Sequence, residues 1–262
     1  MSLKIGIFDS GIGGLTVAKA IKNRLPQAEL IYFGDTAHLP YGDKSPASIR
    51  HYSAKITQFL LSERCNAIVI ACNTASAHAH KTVKDVAGPD VPVFNVIDPV
   101  VECISKQYRG KKIGIIATKG TVKTRVYPRR IKKADPTIKA VSKATPLLAP
   151  MIEEGFFSNT ISKTVIASYL SARELKGIEA LILGCTHYPL IQNEVEEFFG
   201  GKIKIIDSAN VVADAISEGF KLKEKTKGKD EFYVSDFTKA FEKSTQTFFG
   251  EEIKLKEARI FD

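Results

Sequence analysis

The stretch Ala67-Ile68-Val69-Ile70-Ala71-Cys72-Asn73-Thr74 has a counterpart in Ala180-Leu181-Ile182-Leu183-Gly184-Cys185-Thr186-His187. Each is a short apolar run that ends in a small residue, a cysteine and two polar residues. The offset is 113 (185 − 72). A second pair, Lys4-Ile5-Gly6-Ile7 and Lys112-Ile113-Gly114-Ile115, stands at an offset of 108 (112 − 4) in the same chain order. Two matches at nearly one offset point to two copies of a βα unit.

Working outward, strand-like and helix-like stretches alternate along almost the whole chain. The expected strands are Lys4–Asp9, Leu30–Gly34, Ala67–Ala71, Val93–Val96, Lys112–Ile116, Ile138–Val141, Ala180–Leu183 and Lys202–Ile206. The expected helices are Gly14–Arg24, Pro46–Glu63, Thr74–Val86, Pro99–Tyr108, Thr121–Lys133, Asn159–Leu175, Pro189–Phe199, Ala209–Lys223 and Lys239–Phe249. Ser45-Pro46 and Asp98-Pro99 each place a capping side chain before a proline at the first helical position. Short apolar strands between helices predict an α/β fold of mainly parallel sheets covered on both faces. The repeat divides it into two pseudo-symmetric α/β domains with a cleft between them. Residues 1–97 with 209–262 are expected to form the first, carrying Asp9 and Cys72. Residues 98–208 are expected to form the second, carrying Cys185.

With 262 residues, 44% hydrophobic and 26% charged, the chain is large enough for one big or two ordinary domains and reads as globular. No apolar run approaches the roughly 18 residues of a membrane span. The N-terminal run reads as a strand rather than a secretion signal, so a cytoplasmic location is expected. The four cysteines, Cys65, Cys72, Cys103 and Cys185, are too few for a disulfide scaffold, and without a C-x-x-C no zinc site is expected. The net charge is +9, concentrated in Lys123–Lys133 and Lys221–Lys229. Without interleaved aromatics these runs read as solvated faces, so no nucleic-acid partner is expected. A basic protein does suit a small anionic substrate.

Cys72 and Cys185 each follow a strand and precede a helix, which is where open α/β sheets bind ligands. A thiol at a helix N-terminus is expected to have its pKa drawn down from about 8.5 toward neutrality. It could then serve as a base or a nucleophile. The alternative is two buried apolar side chains, and that is how Cys65 and Cys103 read. Asp9-Ser10-Gly11-Ile12-Gly13-Gly14 ends the first strand with a carboxylate, a hydroxyl and backbone amides that could face an anion. It is not a dinucleotide fingerprint, because Thr16 stands where the third glycine belongs. His187, two residues past Cys185, could relay a proton or stabilise a thiolate, or merely cap a helix. Tyr41-Gly42 lies in another strand-end loop. Glu153 and Glu154 read on spacing alone as solvated or capping acids, and His78 and His80 as incidental.

Together these residues resemble the glutamate racemases of the cofactor-independent aspartate/glutamate racemase family. The matching segments are Phe8–Val17, Tyr32–Ala37, Pro40–Gly42, Ala71–Ala77 and Gly184–Pro189. The resemblance implies that Cys72 and Cys185 are two catalytic acid/base thiols. It implies that Asp9, Ser10, Tyr41, Gly42, Asn73, Thr74, Thr118, Thr121, Thr186 and His187 contact the substrate or tune the thiols. It also implies that Glu153 supports the second thiol, with Glu154 as the neighbouring alternative. Thr145 stands where many relatives carry cysteine. The implied reaction is cofactor-independent racemisation of L- and D-glutamate for peptidoglycan synthesis, with no metal and with a homodimer as the assembly of many relatives. An aspartate racemase, a cysteine hydrolase using one thiol with His187, and a non-catalytic amino-acid-binding module stand as the alternatives.

Overall fold

The computed structural model describes residues 3–220 and 229–261. The first half runs β1 (Lys4–Asp9), α1 (Leu15–Arg24), β2 (Glu29–Gly34), α2 (Pro46–Ser62), β3 (Ala67–Ile70), α3 (Asn73–Ala87), β4 (Val93–Asn95). After α4 (Asp98–Gln107) come β5 (Lys112–Ala117), α5 (Lys119–Thr124), α6 (Val126–Ala134), β6 (Lys139–Ala144), α7 (Leu148–Glu153), α8 (Thr160–Leu170), β7 (Ala180–Gly184), α9 (Gln192–Phe198) and β8 (Lys204–Asp207). The chain closes with α10 (Ser208–Gly219), β9 (Glu231–Val234), α11 (Lys239–Phe249) and β10 (Lys256–Glu257).

The strands form two sheets, ordered β10-β9-β2-β1-β3-β4 and β6-β5-β7-β8. Every pairing among the described residues is parallel. The segment β2-β1-β3-β4 has the same order as β6-β5-β7-β8, so the repeat in the sequence is a repeat in topology. The glycines of the two Ile-Gly-Ile runs show why the motif recurs. A Cβ on Gly6 would lie 3.0 Å from Ile68 and 3.1 Å from Leu60, and one on Gly114 would lie 2.8 Å from Ile178 and 2.9 Å from Leu181. In each half a neighbouring strand and the segment that crosses over it fill the space a side chain would need.

The halves are not separate cores. One buried apolar cluster contains Leu15, Ile21 and Val69 of the first half, Leu181, Cys185 and Tyr188 of the second, and Val212 and Ile216 of α10. Helix α10 packs on α1 and α4, and α11 packs on α1. Ion pairs Arg24–Asp214 and Lys22–Asp230 tie the returning chain to α1.

Several local expectations need correction. The expected helix Thr121–Lys133 is broken at Arg125, whose φ of 55° is left-handed, giving α5 and α6. Asn159–Leu175 ends as a helix at Leu170, with a separate turn at Arg173–Leu175. At α4 the cap is not Asp98 but Asn95, whose Oδ1 accepts from the amides of Ile97 and Asp98. Asp98 instead pairs with Arg130. Strands β9 and β10 and helix α7 were not expected. The last residues of the expected helix Ala209–Lys223, and Lys221–Lys229 up to residue 228, lie outside the described residues. No helix among the described residues is long and apolar enough to cross a membrane.

Gly6→Ala and Gly114→Ala should each destabilise the fold by about 1–3 kcal/mol through overpacking, measured by urea denaturation. An unchanged midpoint at both sites would contradict the close contacts described.

Candidate active site

The C-terminal ends of β1, β3, β5 and β7 converge from the two sheets on one cavity of about 40 Å³. Ser10, Tyr41, Gly42, Cys72, Asn73, Thr74, Thr118, Glu153, Cys185, Thr186 and His187 line it, together with Leu39, Pro40, Ala149 and Pro150. Asp9 and Thr121 lie one layer behind. The two thiols are 6% and 7% exposed, so the site is closed over both. Cys65 belongs to the α2–α3 core and is not at the cavity. All four cysteines are free.

Cys72 caps α3, and its Sγ accepts from the Ala75 amide at 3.4 Å. Its thiol donates toward Ser10 Oγ at 3.7 Å. The helix does not bring this thiol toward neutrality. Burial pushes its pKa up to about 12, and the charge of Asp9 adds to the rise; the Ala75 amide and Ser10 oppose it and lose. Helix-end effects are typically worth 0.3–1 kcal/mol, against several pH units for full burial of a charge. The sign follows from these magnitudes.

Asp9 is fully buried. Its Oδ2 accepts from the amides of Gly14 at 3.0 Å and Gly11 at 3.3 Å. The glycine-rich turn therefore gives those amides to its own aspartate rather than to a ligand. Burial raises the Asp9 carboxyl above the ordinary range, against the opposing pull of His187 and the amides. Gly13 has a separate steric role. A Cβ there would lie 2.4 Å from His187 Cε1 and 2.7 Å from Thr186 Oγ1. Only a bare backbone lets the two halves approach this closely.

Cys185 follows β7 directly and precedes a turn of 3-10 helix, Tyr188–Ile191, rather than an α-helix. Its Sγ lies 3.6 Å from His187 Nδ1, and His187 Nε2 lies 2.8 Å from Glu153 Oε1. Glu153, not Glu154, is thus the acid behind the second thiol. Burial alone would discharge the His187 ring, but its bonds to Cys185 and Glu153 outweigh burial and hold its pKa well above the usual range.

Polar groups complete the walls. Thr74 Oγ1 of the first half lies 2.9 Å from Thr118 Oγ1 and 3.2 Å from Thr121 Oγ1 of the second. Asn73 Oδ1 accepts from Tyr127 of α6 at 2.7 Å, which leaves the buried Asn73 Nδ2 without a partner among the described residues. That amide group is a free donor at the cavity wall. Tyr41 donates to Asp35 Oδ2 at 2.6 Å, and Asp35 Oδ1 also takes His38 and Ser235. Tyr127 carries no motif in the sequence, and only its contact with Asn73 across the halves marks it; Asp35, from the Tyr32–Ala37 segment, acts within the first half by holding Tyr41. Thr145 is not at the cavity, and its hydroxyl lies 2.7 Å from that of Tyr188.

Residues 15–216 match the family model described as Asp/Glu/Hydantoin racemase. The chain is 39% identical over 251 residues to the glutamate racemase of Geobacter metallireducens, covering 94% of this chain and 92% of that protein. It is 45% identical over 212 residues to the glutamate racemase of Aquifex pyrophilus, covering 80% and 81%. Among solved structures it resembles the glutamate racemase of Francisella tularensis in complex with D-glutamate, with a TM-score of 0.91 and 36% identity, covering 99% of this chain and 98% of that one.

Two outcomes follow from the geometry. The rate at which iodoacetamide modifies Cys72, followed by peptide mass spectrometry, should keep rising with pH past the roughly 8.5 of a free thiol, toward about 12. A plateau near pH 9 would contradict the buried thiol. Tyr127→Phe leaves Asn73 Oδ1 buried and unpaired, and should cost about 1–3 kcal/mol of stability in urea.

Proposed function

The chain belongs to the Asp/Glu/hydantoin racemase family, and on that footing we propose that it interconverts L- and D-glutamate by proton transfer between Cys72 and Cys185. The observation that carries the reading is two thiols at equivalent strand ends of a repeated fold, both lining one cavity. Inverting an α-carbon through a planar carbanion needs a base on one face and an acid on the other, and two pseudo-symmetric halves supply one each.

In the D-to-L direction the Cys72 thiolate takes the α-proton and becomes a thiol, and the electron pair left on carbon delocalises into the α-carboxylate. The Cys185 thiol then donates its proton to the opposite face and becomes the thiolate. The reverse reaction exchanges the roles. The assignment of Cys72 to D-glutamate rests on the family resemblance. Ionising a thiol whose pKa stands at about 12 costs roughly 7 kcal/mol near neutral pH, at 1.36 kcal/mol per pH unit. Bound glutamate brings an ammonium group beside the sulfur and offsets part of that cost. Ser10 and the Ala75 amide are placed to stabilise the thiolate. His187, kept charged by Glu153, does the corresponding work at Cys185. The Asn73 amide and the Thr74, Thr118 and Thr121 hydroxyls hold the carboxylates, where donors already in place cost no reorganisation as charge develops. Tyr41, Gly42 and Thr186 complete the substrate's walls, and Asp9 sets the charge around Cys72.

The cavity, about 40 Å³, is narrow for a five-carbon diacid, and parting of the halves would widen it. The sheet memberships support dividing the chain into residues 1–97 with 209–262 and residues 98–208. The same family likeness supports a cytoplasmic enzyme that supplies D-glutamate for peptidoglycan synthesis and needs no cofactor, with a homodimer as its assembly.

Circular dichroism of D-glutamate with the purified protein should decay to zero, and solvent deuterium should enter at the α-carbon. Cys72→Ser and Cys185→Ser should each slow racemisation by at least about 10²-fold, the lower range of general acid–base catalysis. Full activity in both directions with either variant would end the two-thiol scheme.

A further inference from the structure

Beside the closed cavity lies a second, open depression of about 660 Å³, formed by the loop after Tyr41 in one half and α5 in the other. We propose that it is an antechamber that collects carboxylate anions for the active site, with Lys44, Lys119 and Lys123 as the collecting charges. The proposal rests on the reading of this chain as a glutamate racemase only for the identity of the anion.

Two observations carry it. The first is adjacency. Gly42 belongs to the walls of both spaces. A Cβ on Gly120 would lie 2.9 Å from the Gly42 carbonyl oxygen and 3.1 Å from Thr74, and one on Gly42 would lie 3.0 Å from Thr118. The partition is therefore a single layer, two facing glycines backed by two of the site's threonines, and it falls on the seam where the halves part. The second is unspent charge. All three lysines are exposed, and their ammonium groups make no hydrogen bond or ion pair among the described residues. Among the described residues Asp43 is the one acid in the wall; His78 also faces the space, and burial, with the charge of Arg50 adding to it, lowers its proton affinity, so the positive charge comes from the lysines. The depression is thus net positive, and it opens directly against a site built for an anion. His78 gains a place here that its spacing in α3 did not reveal, and so does Lys123 of the basic run. Such a cluster at a cleft mouth raises the local concentration and arrival rate of an opposite charge, by roughly ten- to a thousandfold in strong cases, and loses its effect in salt.

The test uses two alkylating probes of similar size, iodoacetate and iodoacetamide. Each loses iodide to the cysteine sulfur, and they differ in carrying a negative charge or none. Rates at Cys72 are read by peptide mass spectrometry in the wild type, in K44Q/K119Q/K123Q, and in K132Q/K133Q/K139Q, which removes the same charge from the end of α6 and from β6. The iodoacetate-to-iodoacetamide ratio should fall by about threefold or more in the first variant, lose its dependence on salt, and stay near wild type in the second. An unchanged ratio in the first variant, or an equal fall in both, overturns the proposal. With glutamate, kcat/KM should fall in the first variant by a similar factor while kcat holds. A wild type that does not racemise glutamate would overturn the function proposed above and leave the alkylation result standing.

Discussion

The close approach of the two halves at the strand ends, glycine backbone against the other half's residues, is the constraint on which the rest of this structure depends. Gly13 meets His187 and Thr186, and Gly42 meets Thr118 and Gly120, at distances that leave no room for a β-carbon. These contacts help bury the two thiols, 6% and 7% exposed, beside a narrow cavity. They also mark the seam between the halves. A side chain at any of these points would wedge the cavity open and return the thiols to water.

Sealing has an electrostatic consequence that differs between the two sides. The backbone is pseudo-symmetric, but the groups that set proton affinity are not. The place of Asp9 at the end of β1 is taken in the second half by Ala117, and the place of Ser10 by Thr118. On the first side, burial and Asp9 hold Cys72 as a thiol. On the second, His187 is kept charged against burial by Glu153 and Cys185. The two thiols thus sit in unlike settings, one that disfavours negative charge and one that carries its own cation.

The shared apolar cluster limits how the halves can move. Val69, Leu181, Cys185, Val212 and Ile216 belong to one buried set, so separation at the cavity works against a core that continues behind it. Helix α10, lying on α1 and α4, crosses that core.

The architecture was legible in the sequence because its signal is local and repeated. Short strand-like runs mark the eight strands β1–β8 of the repeated unit, and the recurrence of Cys72 as Cys185 puts both thiols at strand ends on sequence grounds alone. Strand β9 escaped because it joins the sheet through β2, some 200 residues earlier in the chain, and a four-residue run carries no mark of a distant partner. The break at Arg125 escaped because a single left-handed residue leaves the helical periodicity intact. Tertiary structure alone decided which groups touch: Tyr127 on Asn73, Glu153 on His187, and the amides of the glycine-rich turn on Asp9. It also reversed the expected direction of the Cys72 pKa. A helix N-terminus is visible in sequence and draws a thiol's pKa down by a little, whereas burial draws it up by far more and is a property only of the closed fold.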